Sequence, residues 1–428
     1  MSNARSWLSF AGVLLSCACM LADARAEDTQ SQPSDEWQPP HYDEGFVLVS
    51  SPPSADLPFR LRLNHVSQFK YTNTLAVDKT YEDHLGNEKS VIRRNDIQLT
   101  RDVFYFSGYA FDRKLDFNIL IFMSSATLSV TAAGYVGYAF DPRFKLRIGY
   151  FSLPSLRSMT GTYPFFHGTD RSMEVNYMRP GFTQGLWFEG ELFPGFNYIA
   201  MLGNSLNTLD ISTTRIDTRF AYSASIWYDL NQFGKPWNDY ESHDKPALRV
   251  GSAFTFARED RLSDLSTANP ENNHTFLSDG NLLFATGSLA EDVTVQKMNY
   301  YTWAVDAGFK YYGFAVNFEF VNRWLNHFEA DGPLPYDSFH DWGFDASLGY
   351  FVLRKTLELY ARGSLVHGRF RTPYEAGGGF NWYPFDTRQV WVNAEAIGID
   401  HSPYGGGYYM YSVGQTGVLF QSQFLLRF

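Results

Sequence analysis

The sequence predicts an all-β fold, a transmembrane antiparallel β-barrel of about sixteen strands, with eighteen also possible. Apolar and polar residues alternate with a period of two from Phe59 onward, in segments of about ten residues that end at turns. Aromatic residues make up 18% of the 428 residues, and there are 34 glycines. No stretch beyond the N-terminus has the roughly eighteen continuous apolar residues that a transmembrane helix needs. These observations favour a large β structure with aromatic girdles over a helical membrane protein.

Composition and charge exclude several other classes. The chain is 44% hydrophobic, which is enough apolar surface for a folded structure. The formal net charge is −11, and the basic residues are dispersed, so no surface for nucleic acid is indicated. No internal repeat of about 20–50 residues suggests a solenoid.

The N-terminus indicates secretion. Arg5 precedes an apolar run over 7–15, and the small residues at 24–26 form a cleavage site, so residues 1–26 are expected to be a signal peptide. Cys17 and Cys19 both lie in this segment. The mature chain would then contain no cysteine and could use no disulfide, thiol nucleophile or cysteine-ligated metal. An alternative is that residues 14–17 form a lipoprotein box with a lipid on Cys17.

The segment that follows is expected to differ from the rest of the chain. Residues 27–57 are rich in proline, serine and acids, and we expect a flexible tail with one ordered piece at 45–49. Residues 58–428 are expected to form the outer-membrane barrel.

The connectors alternate in length, as they do in outer-membrane barrels with short periplasmic turns and long external loops. Two connectors depart from this pattern, because 124–127 is short where a long loop is expected and 229–246 is long where a turn is expected. The predicted strands begin near 59, 93, 113, 129, 143, 182, 195, 215, 247, 297, 313, 342, 356, 374, 389 and 416.

The last predicted strand is amphipathic and ends in Phe428. Val418, Phe420, Phe424 and Leu426 share its apolar face. A terminal strand of this kind resembles the signal that the barrel assembly machinery reads in outer-membrane proteins. With the signal peptide, it indicates the bacterial outer membrane rather than a soluble β-protein.

Several segments resemble the phosphate-selective porin O and P family, in this order along the chain: 42–46, 145–154, 169–172, 179–186, 349–353 and 379–384. The resemblance implies a barrel of sixteen strands, commonly a homotrimer, whose third external loop folds inward and narrows the pore. It also implies passage of small hydrophilic solutes, with anions such as phosphate favoured, past arginine and lysine side chains. Guanidinium groups in such a constriction can replace the water around an anion.

Six residues are the candidates for this pore and anion-binding role. Lys145, Arg147, Arg157, Arg171 and Arg179 lie on or beside the third loop, and Arg219 lies on the polar face of a predicted strand. Arg171 has an alternative role as a loop tether paired with the neighbouring Asp170. The aromatic cluster at 163–167 either packs the loop against the wall or forms a track for a hydrophobic solute.

Other features leave the identity of the solute undecided. Acids at positions 116, 217, 319, 345, 358 and 395 also face inward by alternation, and the acidic loop 258–296 contains no lysine. A general non-selective porin, and a plugged barrel that serves in adhesion, are therefore alternatives. No Gly-x-Ser-x-Gly motif and no metal spacing among the histidines is present, so we expect no enzyme and no cofactor.

Overall fold

The structure is a computed structural model that describes residues 39–209, 211, 214, 216–262, 268–270, 272–405 and 411–428. The predicted signal peptide, with Cys17 and Cys19, lies outside the described residues. So does the first part of the predicted tail, up to residue 38.

Sixteen antiparallel strands form a closed barrel, as the sequence predicts. Strand β3 (Phe59–Leu75) is followed around the barrel by β6 (Asn95–Ala110) and then by the later strands in chain order up to β20 (Gly417–Arg427), which pairs with β3. This pairing runs from Val418 opposite Leu75 to Arg427 opposite Val66. Because every strand has two neighbours, the backbone hydrogen bonds of the barrel are satisfied without an open edge, which a bilayer requires.

The described strands begin close to the predicted positions, and the largest shift is at β12, which begins at Phe220 instead of near 215. Their bounds are β1 His41–Tyr42, β2 Phe46–Ser50, β3 Phe59–Leu75, β4 Thr80–Glu82, β5 Glu88–Ser90, β6 Asn95–Ala110, β7 Asp112–Ser124, β8 Ser129–Asp141, β9 Phe144–Ser152, β10 Phe182–Phe193, β11 Phe196–Asn204, β12 Phe220–Leu230, β13 Ala247–Asp260, β14 Val295–Tyr311, β15 Phe314–Ala330, β16 Ser338–Leu353, β17 Leu357–His367, β18 Tyr374–Trp382, β19 Val390–Asp400 and β20 Gly417–Arg427.

The outer face of the barrel is an apolar band. Ile148, Val250 and Leu359 are 62%, 65% and 50% exposed, and each alternates with inward neighbours along its strand. Exposed rings lie near the turns that join successive strands, at Phe140, Phe144, Phe193, Tyr312 and Tyr350. An apolar band with an aromatic rim is stable only in lipid, and transmembrane barrels of this type belong to bacterial outer membranes. The chain is therefore an outer-membrane β-barrel.

The connectors separate into two kinds, one at each end of the barrel. Most turns at the end where β3 begins are short, such as 142–143 and 312–313, whereas those at the opposite end include the long 153–181 and 261–294. The two predicted exceptions are present, as 125–128 and 231–246. Among the described residues, no helix is long and apolar enough to cross a membrane.

The described part of the N-terminal tail contains two short strands. Strand β1 pairs with β2, and β2 pairs with the beginning of β3. The Phe46 ring lies 5.0 Å from the Phe428 ring, between ring centroids, so this segment packs beside the seam of the barrel.

Candidate functional site in the barrel lumen

The connector between β9 and β10, residues 153–181, folds into the barrel, and we call it the inserted loop. Its apolar residues Leu156, Met173 and Met178 are 1% or less exposed, because they pack against the inward faces of strands. The loop contains a 3-10 helix, Arg157–Met159, and a short helix α1, Met173–Met178. The Ser172 side chain caps α1 by accepting a hydrogen bond from the Val175 amide.

Buried hydrogen bonds hold the inserted loop against one side of the lumen. The Thr169 amide and hydroxyl donate to Oε1 of Glu395 at 3.0 and 2.6 Å. The Tyr177 hydroxyl donates to Asp341 at 3.0 Å, and the Met173 amide donates to Glu375 at 3.1 Å. These partners lie on β16, β18 and β19, so the loop is fixed to the wall formed by the C-terminal strands.

An ion-pair cluster around Asp170 also attaches the loop. Nζ of Lys70 and Nη1 of Arg101 lie 3.0 and 2.6 Å from Oδ2 of this carboxylate, and all three side chains are 8% exposed or less. The Asp170 carbonyl accepts a further hydrogen bond from Nη1 of Arg362 at 2.8 Å. The cluster joins the loop to β3, β6 and β17 at once.

A second segment enters the lumen from the opposite end of the barrel. Residues 231–246, which we call the inserted turn, join β12 to β13. Nζ of Lys310 donates to the carbonyls of Phe233 and Pro236 at 2.7 and 2.6 Å. The Asn317 side chain donates to the Trp237 carbonyl at 2.9 Å. The inserted turn therefore fills lumen space below the inserted loop.

An open space lies between the inserted loop and β6 to β9. It is a cavity of about 320 Å³. Three arginines line it, and among the described residues none of those that line it is acidic. Its lining residues are Arg101, Val103, Tyr105, Asn118, Leu120, Phe122, Thr131, Ala133, Gly134, Tyr135, Tyr150, Phe151, Ser152, Met159, Gly161, Tyr163, Arg171, Arg179, Phe182 and Leu209.

A charged cluster lies on the same wall, nearer the short turns. The Arg147 guanidinium binds Asp116 at 2.8 Å and also binds Glu189, and its carbon Cζ lies 4.7 Å from the centre of the Tyr135 ring. Lys145 is two residues closer to the 142–143 turn on the same face of β9, where it pairs in register with Glu189. The lumen at this level carries mixed charge.

The six predicted site residues have different locations. Arg171 and Arg179 line the cavity, and Lys145 and Arg147 lie on the inward face of β9. Arg157 is 3% exposed, donates to Asn317 at 2.8 Å, and lies 4.9 and 5.2 Å from the Phe233 and Trp237 rings. It joins the inserted loop to the inserted turn and is not among the residues that line the cavity. Arg219 is exposed in the connector before β12, because the strand begins at Phe220 and the alternation of the strand does not extend to Arg219.

Two alternatives concern the inserted loop: whether Arg171 tethers it, and whether the cluster 163–167 packs it against the wall or forms a track. Arg171 donates to the Ser158 carbonyl at 3.2 Å, while the carboxylate of Asp170 is held by Lys70 and Arg101. In the cluster 163–167, the Phe165 ring stacks on Trp391 and His167 hydrogen-bonds to Ser347, which is packing. Tyr163 lines the cavity instead.

Sequence reasoning missed Lys70, Arg101, Leu120 and Phe122. The two basic residues gave no signal. Their shared partner, Asp170, is up to about 100 positions away, in a loop whose path no local pattern predicts. The two apolar residues did give one. Residues 119–123 read Ile-Leu-Ile-Phe-Met and depart from alternation, so both faces of β7 are apolar there.

The described residues contain no group of three His, Cys, Asp or Glu side chains arranged to hold a metal ion. No family model matches the sequence, and no curated protein matches it.

Solved structures do resemble the fold. The outer-membrane expressed OmpT of Vibrio cholerae matches with a TM-score of 0.56 and 11% sequence identity, over 86% of this chain and 98% of that chain. An in-vitro folded OmpT of the same organism, described as a trimer form, matches with a TM-score of 0.55 and 12% identity, over 86% and 99%. An anion-selective porin from Comamonas acidovorans matches with a TM-score of 0.54 and 11% identity, over 86% and 99%. The chain is thus similar in fold to outer-membrane porins.

Proposed function

We propose that the protein is a passive diffusion channel for small hydrophilic solutes, with anions favoured, and that the inserted loop forms its constriction. One observation carries the proposal. The inserted loop is held against the C-terminal strands and tied to β3 and β6 through Asp170, and it leaves a cavity beside β6 to β9 that Arg101, Arg171 and Arg179 line. Guanidinium groups at a narrow passage attract anions and replace part of their hydration.

Several inward acids are paired with inward arginines. On the side that the loop covers, Asp306 is paired with Arg249, Asp341 with Arg323, and Glu375 with Arg362. Ion pairing cancels much of their field before it reaches the opening. The cavity is lined by three arginines, of which Arg101 is itself paired with Asp170, and by no acid among the described lining residues.

Two finer assignments belong to this proposal. Phosphate is a candidate anion because of the family resemblance, and the similarity in fold to the anion-selective porin from Comamonas acidovorans supports an anion channel. A homotrimer is the proposed assembly, supported by the trimer form described for the similar OmpT.

A plugged barrel that acts in surface interactions is the second candidate. The inserted turn favours it, because a second segment held by Lys310 and Asn317 narrows the lumen from the other end. Near-zero conductance in planar bilayers would favour this candidate over the channel.

The channel is tested by the zero-current potential of purified protein in a planar bilayer under a salt gradient. We expect anion preference for the wild type. Arg147→Gln should shift the potential toward cation preference, because Asp116 and Glu189 then keep their charges without their shared partner.

Arg143→Gln is the matched control, since this exposed arginine in the turn is paired with Asp141 at 3.6 Å. It should leave the potential nearly unchanged. A cation-selective wild type would overturn the anion assignment, and equal potentials for the wild type and Arg147→Gln would remove Arg147 from the selective path.

A further inference from the structure

We infer that the cavity beside the inserted loop selects organic anions with an apolar body, such as small aromatic carboxylates, over inorganic phosphate. The inference rests on the proposed channel function and names its solute class. It comes from the lining of the cavity, which differs from the rest of the lumen.

Much of the strand side of the cavity is apolar, where a porin lumen is usually polar. Val103 and Tyr105 on β6 and Leu120 and Phe122 on β7 face inward and line it. On the opposite side of the barrel the inward positions of β15 are occupied by residues such as Glu319 and Arg323. The wall of β6 to β8 therefore gives a passing solute a mainly apolar surface, interrupted by the polar side chains of Asn118 and Thr131.

The inserted loop and the start of β10 continue this surface. Met159, Tyr163 and Phe182 line the cavity from the other side. A flat ring between two apolar walls buries both of its faces, and aromatic neighbours add favourable contacts. The cavity volume of about 320 Å³ is at the lower end of the range that holds small organic ligands.

Positive charge is the second half of the match. Arg171 and Arg179 line the cavity, and the Arg101 guanidinium, which shares its charge with Asp170, lies 5.1 Å from the centre of the Tyr163 ring. An arginine binds a carboxylate through two parallel hydrogen bonds. An aromatic carboxylate thus presents its charged group to the arginines and its ring to the apolar walls.

Inorganic phosphate fits only the charged half. All of its surface is strongly hydrated, and an apolar wall offers no hydrogen bonds to compensate for the water that is removed. A hydrophobic monoanion loses less hydration and gains apolar contacts over the same path. The cavity should therefore discriminate between two anions that a simple ring of arginines would treat alike.

The test measures permeability ratios of purified protein in planar bilayers, with potassium salts of benzoate, phosphate and chloride on opposite sides. We expect benzoate to be more permeant than phosphate. Leu120→Asn replaces an apolar lining group by a polar one of similar size and should lower the benzoate-to-phosphate ratio roughly fivefold. Leu128→Asn is the matched control, because Leu128 is 92% exposed in an external connector.

Charge is tested by a second matched pair. Arg179→Gln should lower permeation of benzoate relative to potassium, whereas Arg219→Gln, at an exposed position in the connector before β12, should not. Leu120→Met keeps the apolar volume and should keep the wild-type ratio, which distinguishes lost selectivity from a damaged barrel.

The outcomes separate the two proposals. A wild type that conducts chloride but carries phosphate as well as or better than benzoate would overturn the inference and leave the channel intact. An unchanged ratio in Leu120→Asn, with normal chloride conductance, would overturn it too. A protein that conducts none of these anions would refute the proposed function itself.

Discussion

At the scale of single residues, Asp170 connects the inserted loop to the barrel. Its carboxylate is 3% exposed and is shared by Lys70 and Arg101. Removing one member of a buried ion-pair cluster costs far more than the cluster itself stabilises, because the remaining charges stay buried without compensation.

We predict that Asp170→Asn lowers the free energy of unfolding by about 3–5 kcal/mol. The same change should loosen the inserted loop and raise single-channel conductance. Thermal unfolding in detergent and bilayer recording measure the two effects.

Asp141→Asn provides the control, since Asp141 and Arg143 form an exposed pair. Its effect on stability should be within about 1 kcal/mol. If both variants unfolded at the same temperature as the wild type, the cluster would have no part in holding the loop.

The residue scale also shows what local patterns could and could not predict. Alternation placed Arg147 correctly on an inward face, because strand periodicity fixes direction from neighbours alone. It could not show that Arg157 is buried against Asn317, since that contact joins residues 160 positions apart. It also failed at Arg219, where a strand that begins at Phe220 leaves the preceding side chain outside the pattern.

At the scale of elements, the hairpin of β4 and β5 is attached to the long connector 261–294. Asp83 accepts hydrogen bonds from the Asn281 side chain and pairs with Lys89. Asp279 accepts from the backbone and the ring of His84, whose ring stacks on Phe370 with centroids 3.7 Å apart. Two external loops are thereby held together by two carboxylates.

Lowering the pH should loosen the contact between the hairpin and the long connector. Burial alone would raise the pKa of both acids, but hydrogen bonds from Asn87, Asn281 and Lys89 at Asp83, and from His84 at Asp279, hold each pKa below the ordinary 3.8. A lowered pKa stabilises the docked state fully above the ordinary value and loses that contribution as the pH falls further. We predict that proteolysis of residues 76–94 increases as the pH falls from about 4 toward the pKa values of the docked acids.

Asp279→Asn should expose the same segment to protease at neutral pH. Asp78→Asn changes an exposed residue within 76–94 and should leave cleavage at the wild-type rate. Equal cleavage of the wild type at pH 6 and pH 3 would contradict the role given to the carboxylates.

The sequence predicted the strands and connectors better than it predicted their contacts in space. Strand bounds and the alternation of connector lengths follow from the period of two and from turn residues, both of which are local. The long connector 231–246 was visible as an exception to the pattern. Its insertion was not, because the positions that receive it, Lys310 and Asn317, lie on strands whose neighbours in space are set only when the barrel closes.

At the scale of the whole molecule, the barrel depends on the seam between β20 and β3. Ser422 lies in the middle of β20 and pairs with Tyr71 on one side and Ala394 on the other. Proline at this position would remove a backbone donor from the ladder inside the membrane, where no water can replace it.

We predict that Ser422→Pro abolishes the compact form that resists SDS without heating, as measured by gel mobility. Ser422→Ala keeps the amide donor and should migrate as the wild type does. A Ser422→Pro protein with wild-type mobility would show that the seam tolerates an unpaired position.

The attachment of the inserted loop also sets an order of events during assembly. Thr169 on the loop hydrogen-bonds to Glu395 and Gln421, which are 226 and 252 positions later in the chain. The loop therefore has no complete docking surface until the last strands are in place. A partly assembled barrel would therefore lack the constriction, which forms only when the last strand has paired with the first.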